Sequence, residues 1–329
     1  MDHLLSDEID LYLEYCTSKQ LRPKTMMAYE QGLRLFCKWS CDCQGYKYCE
    51  EISEAVIRRY IVELQKRGKY TFNTREDDEL TNYPWNRKDF RETVSNTTIN
   101  NYIRYLRAFF LWLEYEGIME RTPLRRVRTL PDQRKPKEYL EDDEVKQLLA
   151  VLDRNSYCEY RDLMVMLLML DCGTRLGETL SIEDTQIDLA ERTIFLPSEK
   201  TKGRRGRTVF FSRKTAGEMK KWLRYKGKSS SSIYTFPLST GVETISVSSY
   251  EKRFRTYLGR TSITKHVTPH TLRNNFAKRC LLSGMDIYTL SRILGHSSVT
   301  VTEEAYLDVR DIELKGRYQK HSPIKNIMR

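Results

Sequence analysis

Residues 267–308 read VTPHTLRNNFAKRCLLSGMDIYTLSRILGHSSVTVTEEAYLD, and the spacing inside this stretch decides how the chain is read. Thr268 precedes Pro269, a pairing that opens helices, because the N–H that proline lacks would have no partner in the first turn. Leu272, Phe276, Leu281 and Leu282 give that helix an apolar side, and Gly284 stops it. His270 and Arg273 stand three residues apart, a spacing that lets both face one ligand atom. A second helix is expected over 287–294, ending at Gly295, which presents His296 at its tip. Tyr306 follows ten residues after His296.

A His/Arg pair, a second histidine and a tyrosine suit phosphoryl transfer without a metal. The non-bridging oxygens of a phosphodiester need donors that strengthen as charge develops, and a bidentate arginine supplies them. A phenol can act as nucleophile and carry a covalent intermediate. Upstream, LDCGTRLGETLSI (170–182) ends an apolar helix at Gly173, and Arg175 emerges with Glu178 one turn on. Residues 185–211 then change period: short strands are expected at 186–189, 193–196 and 207–212, with KTKGRRG as a basic turn before the last.

The chain has 329 residues, 40% of them hydrophobic, which is enough for real cores and argues against wholesale disorder. Its formal net charge of +11 favours a polyanionic partner, since neutralising phosphates releases condensed counterions. The basic stretches at 124–128, 200–207 and 250–260 are spread along the chain and can line a groove. No apolar run approaches the roughly 18 residues of a membrane span, and no leader peptide is evident, so a cytoplasmic protein is expected. Cys37, Cys41, Cys43 and Cys49 cluster without paired zinc-ligand spacing, which reads as reduced thiols with no metal.

In order, helices are expected over 4–18, from Thr25 through Trp39, over 55–67 and from Ser95 to Gly117. Residues 68–94 form a polar excursion without periodicity. Domains are placed at 1–125, a Pro-bounded linker at 126–137, and 138–329, with a tail over about 311–329 that either docks on a neighbour or frays. A short strand is expected at 233–236. A helix follows over 247–257, with Arg253 and Arg255 facing solvent or phosphate.

The pieces His270-Thr-Leu-Arg273, Leu294-Gly295-His296 and Ala305-Tyr306-Leu307, with Gly173-Thr-Arg175-Leu-Gly-Glu178, resemble the catalytic C-terminus of tyrosine recombinases of the phage integrase and Xer type. The helices RPKTMMAYEQGLRLF and SNTTINNYIRYLRAFFLWLEYEGI are similar to that family's core-binding domain. The resemblance implies a mainly α fold with a small antiparallel β-sheet: an N-terminal helical bundle and a C-terminal α+β catalytic domain. It implies a site-specific recombinase or integrase serving a mobile element, using a 3′-phosphotyrosyl intermediate and no cofactor.

The implied catalytic set is Arg175, Lys202, His270, Arg273, His296 and Tyr306, with Lys200 competing for the lysine position. Candidate DNA contacts are Lys24, Thr25, Tyr29, Thr97, Asn101, Arg104, Arg204, Arg205 and Arg207. The implied partners are double-stranded DNA, a homotetramer assembled on it, and accessory DNA-bending or partner recombinase proteins. A type IB topoisomerase and a non-catalytic DNA-binding regulator on the same fold stay open as alternatives. One departure stands out: the family commonly places its tyrosine nine residues after the Gly-His histidine, and one added helical residue rotates a side chain by about 100°.

Overall fold

The N-terminal helices each bury one stripe and leave the other to solvent, as their apolar spacing requires. The computed structural model describes residues 2–72, 84–131, 138–200, 206–296 and 298–306, with backbone alone at 84, 200, 301 and 304–306. The chain divides into two units, Met1–Arg134 and Lys135–Arg329.

In the first unit, α1 (Leu5–Ser18), α2 (Pro23–Gln44), α3 (Glu54–Lys66) and α4 (Asn96–Tyr115) surround a core of Ile9, Leu33, Phe36, Tyr60, Ile103 and Phe110. Phe36 meets Tyr60 edge-on at 5.0 Å and Phe110 at 6.1 Å, the offset geometry that aromatic quadrupoles favour. The excursion after α3 has a pinned neck. Lys69 N donates to Glu92 O at 2.8 Å and Arg91 N to Lys69 O at 3.1 Å, while Lys69 Nζ pairs with Glu92 at 3.0 Å. Residues 73–83 lie outside the described residues.

The expected linker begins later than its composition suggests. Leu124 and Val127 are buried in the first unit's core. Asn100 on α4 donates to Leu130 O at 3.0 Å and accepts from Leu130 N at 2.8 Å; Asn96 donates to Pro131 O and Arg107 to Val127 O, both at 2.7 Å. These side chains satisfy a backbone that has no strand partner, which fixes 124–131 along α4.

The second unit is built on α6 (Tyr157–Cys172), which follows α5 (Asp142–Ala150). Leu163, Met164, Val165, Met166, Leu168, Met169 and Cys172 are at most 2% exposed, so α6 runs through the centre. It ends at Gly173, whose φ of +65° is the left-handed cap that glycine adopts without strain. After α7 (Leu176–Leu180) come β1 (Ile187–Asp188), β2 (Thr193–Leu196) and β3 (Arg207–Phe210), an antiparallel sheet in that order with Ile194 opposite Val209 and Leu196 opposite Arg207. Helices α8 (Arg213–Lys226), α9 (Val247–Leu258), α10 (Pro269–Leu282), α11 (Ile287–Leu294) and α12 (Val299–Tyr306) complete the described part. None of the described helices is long and apolar enough to cross a membrane.

Two expectations are corrected. The stretch 233–236 makes no strand: Tyr234 forms an isolated bridge with Glu183. The loop is held instead by the buried Lys226, whose Nζ donates to Asp184 at 2.5 Å, Ser232 O at 2.8 Å and Tyr234 O at 2.7 Å. Arg253 faces inward, because Asp162 is fully buried and needs partners. Asp162 accepts from Arg161 Nε at 2.9 Å, Arg253 Nε at 2.5 Å and Tyr257 Oη at 2.7 Å. Arg255 is exposed.

Gly173 carries a testable consequence. A Cβ there would stand 2.2 Å from Phe276 Cδ1 of α10, and φ is already left-handed. Gly173→Ala should therefore cost about 3 kcal/mol, the sum of a left-handed alanine and an overpacked core. Urea unfolding should show a lower midpoint at unchanged m-value.

Candidate active site

Three consecutive carbonyls at the C-terminus of α11 organise the site. The last carbonyls of a helix have no intrahelical partner and sit at the negative end of its dipole, so they attract cations. Here each takes a different arginine. Arg207 Nε donates to Ile293 O at 2.9 Å, Arg273 Nη2 to Leu294 O at 2.8 Å and Arg175 Nη2 to Gly295 O at 3.3 Å.

Glu178 supplies the negative charge that lets two of these cations approach. Its carboxylate accepts from Arg175 N at 2.9 Å, closing the first turn of α7, and from Arg175 Nη1 at 2.8 Å. It also receives both arms of Arg207, Nη1 at 3.1 Å and Nη2 at 2.7 Å. Burial alone would raise the pKa of Glu178, but the Arg207 fork and the Arg175 contacts outweigh it and hold the carboxyl down at about 2.

Arg273 is 1% exposed on α10, and its Nη1 donates to Gly173 O at 2.7 Å. The carbonyl that ends α6 therefore meets the same guanidinium as the carbonyl that ends α11. Arg273 Nη2 also lies 3.0 Å from His296 Nε2, and His296 Nδ1 lies 2.7 Å from Thr302 Oγ1. Gly295 makes this crowding possible: φ is +66°, and a Cβ would stand 2.9 Å from three side-chain atoms of Arg207.

The structure thus brings Arg175, Arg273 and His296 together. His270 lies in the first turn of α10 and is exposed, whereas Arg273 three residues on is buried. Tyr306 is the last residue of α12, and its side chain lies outside what is described. Lys202, Arg204 and Arg205 also lie outside the described residues, as does the side chain of Lys200.

Arg207, expected among the DNA contacts, points inward: it shares a strand face with buried Val209, and its side chain is 9% exposed. In the first unit, Lys24 and Thr25 are exposed in the first turn of α2, Thr97 and Arg104 are exposed on α4, and Asn101 is half-buried. Tyr29 is half-buried, with its ring edge-on to Tyr105 at 5.4 Å. The eight cysteines are free thiols.

Comparison with known proteins decides the family. Residues 138–313 match the phage integrase family, and residues 9–75 match the phage integrase N-terminal SAM-like domain. The chain belongs to the phage integrase family of tyrosine recombinases. It is a site-specific recombinase enzyme. Its relatives include a tyrosine recombinase of Thermosipho africanus (strain TCF52B), 29% identical over 68% of this chain and 75% of the relative. Tyrosine recombinase XerC of Bacillus pumilus (strain SAFR-032) is 24% identical over 96% of each chain. The fold is similar to the Tn1549 transposon integrase in complex with a circular intermediate DNA, with a TM-score of 0.72 and 15% identity over 97% of this chain and 100% of that one. It is also similar to a lambda integrase dimer bound to a core site, with a TM-score of 0.66 and 15% identity over 92% and 77% of the two chains.

Sequence reasoning gave one participant of this recombinase's site another role and missed a second. Arg207 was detectable from the period of its strand, RTVF, because Val209 must face the core and Arg207 shares its side. Thr302 had no such signal, since its partner is His296 in space.

Arg207→Met should destabilise the protein by about 3–5 kcal/mol, because Glu178 would keep a buried charge without its bidentate partner. Arg207→Lys, which keeps the charge and loses the fork, should fall between. Urea unfolding beside DNA titrations at several salt concentrations distinguishes this from a phosphate contact. A phosphate ligand would leave the unfolding midpoint unchanged and make the salt dependence shallower.

Proposed function

We propose that this recombinase cleaves and rejoins double-stranded DNA through a 3′-phosphotyrosyl link to Tyr306, in the service of a mobile element. The observation that carries the reading is the joint anchoring of Arg175 and Arg273 at the end of α11, beside His296. Donors fixed in advance stabilise developing phosphorane charge without reorganising during the reaction.

In this reading the Tyr306 oxygen bonds to the scissile phosphorus and the bond from phosphorus to the 5′-oxygen breaks. Lys202 delivers a proton to that departing oxygen, and His270 assists removal of the phenol proton. Arg175, Arg273 and His296 face the non-bridging oxygens. The exchange conserves phosphodiester energy, so rejoining needs no nucleotide cofactor. The ten-residue spacing fits: position 306 lies one helical turn beyond position 302 on α12, and Thr302 is bonded to His296.

Lys24, Thr25, Thr97, Asn101 and Arg104 are assigned to the DNA backbone, with Arg204 and Arg205 on the basic turn and Tyr29 supporting its neighbours. The domains serving these two tasks correspond to the two units, Met1–Arg134 and Lys135–Arg329. Strand exchange between two duplexes calls for four protomers, and a lambda integrase tetramer bound to a Holliday junction shows that arrangement for a protein of similar fold. The Tn1549 integrase, a transposon protein, supports the mobile-element assignment. Accessory DNA-bending proteins and a cytoplasmic setting complete the proposal.

The test uses a nicked duplex that traps the covalent intermediate by losing its 5′-hydroxyl strand. Wild-type protein should form an adduct that survives denaturing electrophoresis. Tyr306→Phe should form none, with a Kd for the intact duplex within about twofold of wild type, because only one oxygen is lost. An adduct on the Phe variant would move the nucleophile to another residue.

A further inference from the structure

The neck that follows α3 walls a cavity of about 310 Å³ in the first unit, and the exposed Gln31, Tyr70 and Thr98 form its rim. Two residues of the neck hold a left-handed backbone that side chains resist, Tyr70 at φ +62° and, on the opposing stretch, Arg91 at φ +63°. Gly68 lets the two stretches touch, since a Cβ there would stand 2.5 Å from Arg91 Cα. Strain of this kind persists only where the surroundings over-determine it, and it collects at ligand sites. Here Lys69 holds the neck: its N–H donates to Glu92 O, its carbonyl accepts from Arg91 N, and its Nζ reaches Asp89 at 3.3 Å and Glu92 at 3.0 Å.

The wall built this way is cationic. Arg67 borders the cavity, and its Nη1 is buried with no hydrogen-bond partner. Its guanidinium carbon lies 5.1 Å from the centre of the Phe72 ring, and Lys38 Nζ lies 5.6 Å from the same ring. Among the described residues no carboxylate lines the cavity, and the neck's own Asp89 and Glu92 are bonded to Lys69. A largely buried cation without a counter-charge is costly, and an anion in the cavity removes that cost. The rest of the wall offers neutral donors, the Thr98 and Tyr102 hydroxyls and the Gln31 amide. A guanidinium fork beside hydroxyl and amide donors suits the oxygens of a phosphate.

We propose that this cavity is a phosphate-binding site with Arg67 as its charged ligand, and that it seats a backbone phosphate of the bound duplex. The inference rests on the reading of the first unit as DNA-binding. Its position on the helices supplies the link to DNA. On α2, Gln31 and Leu35 of the wall share a face with Lys24, by the helical repeat. On α4, Thr97 and Asn101 each directly precede a wall residue, Thr98 and Tyr102. The rim is therefore continuous with the side chains assigned to the DNA backbone. Free phosphate shares the same chemistry, and the experiment separates the two sources.

Binding of the full-length protein to a duplex is measured over a range of chloride concentrations for wild type, Arg67→Gln and Arg67→Lys. One lost phosphate contact lowers the slope of log Kd against log salt by about 0.9. Arg67→Gln should show that drop, with binding about tenfold weaker, the worth of a charge-assisted hydrogen bond. Arg67→Lys keeps the charge and should keep the slope. A second arm replaces chloride by inorganic phosphate at constant ionic strength and follows urea unfolding without DNA. A site for free phosphate raises the wild-type midpoint more than that of Arg67→Gln. That result with an unchanged slope keeps the site and overturns its assignment to the duplex. An unchanged slope together with equal phosphate responses overturns the proposal entirely, leaving Arg67 as a packing residue. Failure of the wild-type protein to bind any duplex would instead remove the proposed function, and the phosphate arm would still decide what the cavity takes.

Discussion

Three guanidinium groups repel one another, and the site exists because the protein gives them something to share. At about 4 Å a pair of like charges costs about 4 kcal/mol at the effective dielectric of a protein surface. The carbonyls of Ile293, Leu294 and Gly295 offer three acceptors at the negative end of one helix, and Glu178 adds a full charge bonded to both Arg175 and Arg207. Neither source suffices alone. The helix end supplies about half a charge, while Glu178 reaches two of the three arginines. Arg273 is served by a second helix end at Gly173 O.

This constraint reaches into the core. For the ends of α6 and α11 to face one arginine, both helices must stop abruptly, which explains the left-handed glycines at 173 and 295. Close approach matters as much as conformation. Phe276 of α10 occupies the space that a side chain at 173 would need, and Arg207 does the same at 295. Arg273 leaves the buried face of α10 directly beside this contact, so the packing of α10 on α6 sets its position. An arginine pair held this way is organised by backbone and core, which is what electrostatic preorganisation requires.

Much of this was legible in the sequence. The proline-led helix at 269, the stops at Gly173, Gly284 and Gly295, and the Arg175–Glu178 pair all follow from local rules, as do the three short strands. What was not legible depends on partners far apart in the chain. Arg253 reads as facing solvent or phosphate because nothing near it in the chain announces the buried Asp162. The fixed stretch 124–131 overlaps what reads as a charged, Pro-bounded linker at 126–137, because its partners are Asn96, Asn100 and Arg107 on α4. Arg207 sits in a crowd of basic residues, and composition pointed to DNA, whereas strand period pointed to the core. Thr302 is ordinary until His296 is placed beside it.

The site depends most on Glu178 being an ionised carboxylate shared by two arginines. With its folded-state pKa depressed, the group stabilises the fold above the unfolded value near 4.5, and that contribution disappears as pH falls toward about 2. A shift of this size corresponds to about 3 kcal/mol. The direct measurement is a carbon-13 NMR titration of the Glu178 side-chain carboxyl, assigned by loss of its resonance in Glu178→Gln. The account predicts that the resonance stays at its ionised position down through pH 4 and titrates only near pH 2. A midpoint in the ordinary glutamate range, about 4.3, would show that the arginines do not share this carboxylate.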